Sequence, residues 1–160
     1  MIGSRLIGQE WTGPEWFHGR PSATTATDPN DPTKIFAAPC NAANSGGSNL
    51  GPTSRALNER LTADRQALDQ REPSLAGRLI PADMLTTSGS GLDPEISPAY
   101  SALQVDHVAA ARGVTRGQIS AVLTRHIAGR TLGIFGEPRV NVLELNLDLQ
   151  SEYPLSKLGH

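Results

Sequence analysis

Thiol chemistry is nearly absent from this chain: Cys40 is its one cysteine. No intramolecular disulfide can form, and no cysteine-based metal cage can be built. Lysine is almost missing too. Lys34 and Lys157 stand against twelve arginines, a balance that reads as GC-rich codon usage rather than mechanism. Basic charge does not accumulate. The net charge is −2, the pI is near 6.1, and the arginines alternate with acids. That excludes a nucleic-acid footprint and a polybasic membrane-surface patch. No long hydrophobic run exists. The longest charge-free stretch, 35–54, is filled with Asn, Ser, Gly and Pro, which a lipid-facing helix does not tolerate. The opening Met1-Ile2-Gly3-Ser4-Arg5 lacks the apolar core of a signal peptide. Taken alone, the sequence reads as a soluble chain.

What is present suits one modest core. The chain has 160 residues, 38% of them hydrophobic and 4% aromatic, enough for a single domain over 1–160. Sixteen glycines and twelve prolines imply many turns. The pattern predicts an α+β fold: one compact domain with about three helices packed on a small sheet, and ordered loops rich in Gly, Ser and Asn. The first helix, about 54–71, sets Leu57, Leu61 and Leu68 on one face and is stopped by Pro73. The second opens at Ser97-Pro98, is lined by Leu103, Val108 and Ala111, and closes at Gly113. The third opens on the capping box Thr115-Arg116-Gly117-Gln118, is lined by Ile119, Val122, Leu123 and Ile127, and closes at Gly129. Strands are expected at Ser4–Gln9, Asp83–Ser88 and Val140–Leu147, with Arg130–Phe135 a further candidate. Asp28-Pro29-Asn30-Asp31-Pro32 reads as a turn, and Trp11, Trp16 and Phe17 as anchors for an irregular N-terminal loop.

No reaction is named by residue spacing. Gly46-Gly47-Ser48-Asn49-Leu50 fails the last position of a nucleophile elbow, and Gly89-Ser90-Gly91 is only a tripeptide. Gly46 to Thr53 has the spacing of a phosphate-binding loop, but Pro52 replaces its lysine and removes a backbone donor. Val114-Thr115-Arg116-Gly117-Gln118 and Ser45-Gly46-Gly47 loosely match the L-S-G-G-Q string of ABC transporters. No His or Cys pair has ligand spacing, and no Glu closes a calcium loop begun by Asp28, Asn30 and Asp31.

Longer strings are more telling. Gly19-Arg20-Pro21-Ser22-Ala23-Thr24, Ser45-Gly46-Gly47-Ser48-Asn49-Leu50-Gly51-Pro52-Thr53 and Thr86-Thr87-Ser88-Gly89-Ser90-Gly91-Leu92-Asp93-Pro94 occur in that order. They are followed by Ile96-Ser97-Pro98 and by Gly136-Glu137-Pro138-Arg139-Val140-Asn141 running on to Asn146. These blocks closely resemble the C-subunit family, KdpC, of the bacterial Kdp potassium-transporting ATPase, over roughly residues 3 to 149. Gly3 to Gln9 resembles that family's entry into its soluble domain. The chain departs from the family pattern at Ser54, where Asn is usual, at Cys40, where an aromatic is common, and at Asp106-His107, where Pro-Arg is usual.

The resemblance implies an accessory, non-catalytic subunit of an ATP-driven high-affinity potassium uptake complex. It implies partnership with a channel-like A subunit, a P-type B subunit that hydrolyses ATP, and a small F subunit. It implies a catalytic chaperone role, raising the ATP affinity of the B subunit. It also implies a cell-membrane location, single-pass in the family through an N-terminal helix, with the soluble domain outside the cytoplasm. The expectation here is that the chain begins where that helix would end, through trimming or a mis-set start codon. Docking is expected through Asn49, Gly51, Ser88, Gly89 and Gly91, whose uncharged loops expose backbone donors and acceptors. Weak nucleotide contact, with no tightly bound cofactor, falls on Ser45, Gly46 and Gly47 as an anion nest and on Thr115 and Gln118 at a helix N-terminus. The alternative reading is an extracytoplasmic module that binds a small solute in an apolar pocket.

Overall fold

The computed structural model describes residues 3–155. The class is α+β, as the sequence predicts. In chain order the elements are β1 (Thr25–Asp28), β2 (Asp31–Ala37), α1 (Arg55–Arg71), β3 (Glu95–Ile96), α2 (Pro98–Arg112), α3 (Arg116–Arg125), β4 (Ile127–Ala128), β5 (Arg139–Asn141) and α4 (Val142–Glu152). Short 3-10 turns lie at Pro73–Leu75 and Ala82–Met84. β1 and β2 form an antiparallel ribbon, and β3, β5 and β4 form an antiparallel sheet in that order. The residues cluster into two compact units: Arg20–Leu92, and the segments on either side of it.

The flanking unit holds α2, α3, α4 and the three-stranded sheet. Val108, Ile119, Val122, Val140, Leu145 and Leu149 are fully buried in it. Full burial of each such side chain stabilises by about 1.5–3 kcal/mol. The caps of α2 are those the sequence predicts: the Ser97 side chain accepts from the Tyr100 amide, and Gly113 closes the helix at φ 68°. Its buried face is Tyr100, Ser101, Gln104, Val105, Val108 and Ala109, while Ala111 is exposed. α3 opens on the full Thr115–Gln118 capping box. It ends at Arg125, short of Gly129, because the chain turns at His126 and Ile127 enters β4.

The predicted strand 140–147 is corrected: β5 ends at Asn141 and α4 begins. Asn141 caps α4 by accepting from the Glu144 amide at 3.1 Å. The helix buries Val142, Leu145, Asn146 and Leu149, a set with helical spacing. Asn146 is wholly buried because its amide pairs with the Phe17 backbone, accepting from its N–H and donating to its C=O at 2.9 Å each. Gln104 does the same for His18, at 2.7 and 3.1 Å. The Tyr100 hydroxyl donates to the Gly19 carbonyl, and Arg112 Nε to that of Glu15. The N-terminal loop is thereby strapped down with its polar backbone satisfied. Phe17 is fully buried, and the Arg112 guanidinium lies 4.6 Å over the Trp16 ring. Burial holds the Arg112 guanidinium below its ordinary pKa.

The unit Arg20–Leu92 is built differently. α1 is capped by Ser54, which accepts from the Leu57 amide, so serine fills the capping role that asparagine would also fill. Leu68 is buried, whereas Leu57 and Leu61 are half-buried. Arg55–Glu59, Arg60–Asp64 and Arg65–Asp69 are i,i+4 pairs along it. Only Leu68, Leu75 and Met84 are buried large hydrophobic residues in this unit. The strand expected at Asp83–Ser88 is instead a 3-10 turn, with the Thr86 amide and hydroxyl both donating to the Ala82 carbonyl. In the flanking unit, the strand expected at Ser4–Gln9 is a turn held by Ser4, and Arg130–Phe135 is an exposed loop with one bridge, Thr131 to Phe135.

Candidate functional site

The two polar loops, 41–53 and 86–92, belong to the same unit, and the fold brings them together. The Gly46 amide donates to the Ser90 carbonyl at 2.8 Å, and the Ser45 hydroxyl donates to the same oxygen at 3.1 Å. Thr87 Oγ1 donates to Ser48 Oγ at 3.4 Å. Gly47 packs so closely that a Cβ there would lie 2.9 Å from the Gly89 carbonyl oxygen. Gly91 is buried, at φ +67°, and a Cβ on it would lie 2.5 Å from Thr24 Cγ2 and 2.6 Å from the Gly46 carbonyl. Of the five glycines assigned to these loops, Gly91 alone needs the left-handed region; Gly47 is required by close approach. Gly46, Gly51 and Gly89 would meet nothing within 4 Å. Asn49 stands at φ +52°, a conformation that asparagine tolerates better than most residues.

Residues that sequence reasoning left without a role hold this arrangement. The Ser22 hydroxyl donates to the Gly91 carbonyl at 2.7 Å and accepts from the Cys40 amide at 3.0 Å. The Thr24 hydroxyl donates to the Ala38 carbonyl at 2.6 Å and accepts from the Asn41 amide at 3.1 Å. The Arg20 guanidinium donates to the carbonyls of Thr86 and Thr87. Ser88 is buried and caps its own turn by accepting from the Gly91 amide at 2.9 Å. The signal was present: Arg20, Ser22 and Thr24 form the string that precedes the loops. Neither loop contains an ionisable side chain. The result is a hydrogen-bonded pair of loops, without ionisable side chains of their own, on which Asn49, Gly51 and Gly89 are exposed.

The nucleotide candidates fall in different units, Ser45, Gly46 and Gly47 in one and Thr115 and Gln118 in the other. The Gly46 amide is spent on Ser90. In the capping box, Thr115 Oγ1 accepts from the Gln118 amide and Gln118 Oε1 accepts from the Thr115 amide. Among the described residues no group of three His, Cys, Asp or Glu is placed to hold a metal ion, and no helix is long and apolar enough to cross a membrane.

A cleft of about 340 Å³ opens in the flanking unit beside Arg5, Glu95, His126, Arg139 and Glu144. Its charges are matched in pairs: Arg139 with Glu95 at 2.9 Å, and Arg5 with Glu144 at 3.8 Å. His126 Nε2 lies 3.0 Å from Asp148 Oδ2. That hydrogen bond, followed by one from Arg125, holds the Asp148 carboxyl below its ordinary pKa. The cleft is not the apolar pocket that a small-solute module calls for.

A family model described as "K+-transporting ATPase, c chain" matches residues 1–151. The potassium-transporting ATPase KdpC subunit of Methylobacterium nodulans is 56% identical over 149 residues, covering 93% of this chain and 73% of the relative. That of Rhodopseudomonas palustris strain BisB5 is 54% identical over 151 residues, covering 94% and 74%. That of Bradyrhizobium diazoefficiens is 55% identical over 149 residues, covering 93% and 73%.

Proposed function

The chain belongs to the KdpC family, the c chain of potassium-transporting ATPases, and on that premise we propose that it is a non-catalytic docking subunit of the Kdp potassium uptake complex. The observation that carries this reading is the interlocked pair of loops, closed by Gly46–Ser90 and by the Gly47–Gly89 approach. Loops of backbone groups without ionisable side chains of their own suit burial against another protein's loops, since the loops bring no charge to desolvate. Its partners are the channel-like A subunit, the P-type B subunit and the F subunit. The full-length protein holds to the cell membrane by a single helix, with the part described here outside the cytoplasm. It raises the ATP affinity of the B subunit through assembly, without touching nucleotide at residues 45–47 or at Thr115 and Gln118. Glycine-rich, carboxylate-free loops are also compatible with a place near a potassium entrance, where they offer the ion no competing acid.

Co-purification tests it. The full-length protein, expressed with the A, B and F subunits and extracted from membranes, is expected to elute with them, and Gly91→Val to be lost from the complex. Elution of the wild-type protein apart from the A and B subunits would sink the proposal.

A further inference from the structure

The ribbon of β1 and β2 has one covered edge and one open edge. The Ala38 amide donates to the Thr24 carbonyl, and Ala26 lies opposite Phe36, so the bonded pairs of the ladder are 24 with 38 and 26 with 36. The alternate pairs, Thr25 with Ala37 and Thr27 with Ile35, turn their backbone groups outward. On the β1 side the Thr25 carbonyl is covered, accepting from the Asn41 and Asn44 side-chain amides at 2.7 and 3.0 Å. On the β2 side, the described residues provide no hydrogen bond to the outward groups of Ile35 and Ala37.

Edge strands are normally guarded by proline, lysine or a bulge. β2 carries these guards in its first half only. Pro32 has no amide to offer, the Thr33 amide is turned onto Asp31 Oδ1, and Lys34 pairs with Asp31 at 3.2 Å. The register also shifts between Thr27 and Asp28. The second half, Ile35–Phe36–Ala37, is unguarded, and Ile35 and Phe36 are 69% and 51% exposed. A two-stranded ribbon is marginally stable in water, and this one lies in a unit with three buried large hydrophobic residues.

We infer that the outer edge of β2 at residues 35–37 receives an extended, uncharged segment of another subunit of the complex, which adds as a third strand to the ribbon. The occupant follows from the chemistry of the edge. Outward N–H and C=O groups at alternate residues match the spacing of an extended backbone. Residues 35–37 carry no ionisable side chain, so no charge on the occupant is called for. Flanking Ile35 and Phe36, on opposite faces, favour small or apolar side chains opposite them. The inference rests on the docking reading and names a place where it happens.

Hydrogen exchange on the intact complex and on the isolated chain tests it. The Ile35 and Ala37 amides are expected to exchange freely in the isolated chain and about tenfold or more slowly in the complex. Equal exchange in the two states would overturn the proposal. So would an isolated chain that sediments as a dimer with these amides already protected, since that assigns the edge to a second copy. Ile35→Pro removes one outward donor without touching the bonds to β1 and is expected to weaken retention, while Ile35→Thr, which keeps the donor, is retained. Equal retention of both variants would also overturn it. Should Ile35→Pro fail to fold, the exchange comparison on the wild-type chain still decides. A wild-type chain that never enters the complex would instead defeat the underlying docking reading.

Discussion

At the scale of single residues, the loop glycines separate into those that geometry requires and those it does not. Gly91→Ala places a Cβ 2.5 Å from Thr24 Cγ2 at a left-handed φ. It is expected to destabilise by about 1–3 kcal/mol, read as a lowered thermal midpoint. Gly89→Ala meets nothing and is expected to stay within about 0.5 kcal/mol of the parent. A loss at Gly89 matching that at Gly91 would mean the loops are not held as described. Composition could show that both loops are rich in glycine. It could not show which glycine carries a positive φ, because that depends on Ser22 and Thr24, far off in sequence. For nucleotide the expectation is negative: ATP titrated into the chain leaves the amide resonances of residues 45–47 and 115–118 unmoved, since the Gly46, Thr115 and Gln118 donors are engaged internally. Localised shifts there would restore direct contact.

At the scale of elements, α1, α2 and α3 were legible because their caps are local: Ser54, Ser97-Pro98 and Thr115 with Gln118 each act within a few residues. α4 was not. Leu143, Leu145, Leu147 and Leu149 alternate and imitate a strand, while the helical set 142, 145, 146, 149 is interrupted by a polar letter, Asn146. That asparagine is a core residue because Phe17 presents its backbone to it, a contact across 129 positions. Asn146→Ala therefore leaves both backbone groups of Phe17 unpaired and is expected to cost at least about 2 kcal/mol in denaturant unfolding. The ribbon was missed for a related reason: Thr25 to Asp28 has little apolar content, and Pro32 sits inside β2. At the α3–α4 junction, Asp148 accepts from His126 and Arg125. Its folded pKa is depressed, so its contribution is present above the unfolded carboxylate range and lost as pH falls through the lower folded value. Asp148 is more than a third exposed, so Asp148→Asn is expected to remove at most about 1 kcal/mol at neutral pH and nothing at the acid end. An equal loss at both ends would show that the pairing is not the cause.

At the scale of the whole molecule, stability is unevenly distributed. The unit built on α2, α3 and α4 contains nearly all the fully buried aliphatic side chains, and Arg20–Leu92 relies on hydrogen-bonded loops and a helix with one buried leucine. Native-state exchange is expected to find the amides of α1 opening at lower free energy than those of α2 and α4. Uniform protection across the chain would contradict that. The strap at Glu15 to Gly19 has a mechanical consequence. Four carbonyls in five residues are gripped by Arg112, Asn146, Gln104 and Tyr100. Tension applied along the segment ahead of Glu15 is borne by these four side chains. The load is shared between two helices, reaching α2 through Tyr100, Gln104 and Arg112 and α4 through Asn146.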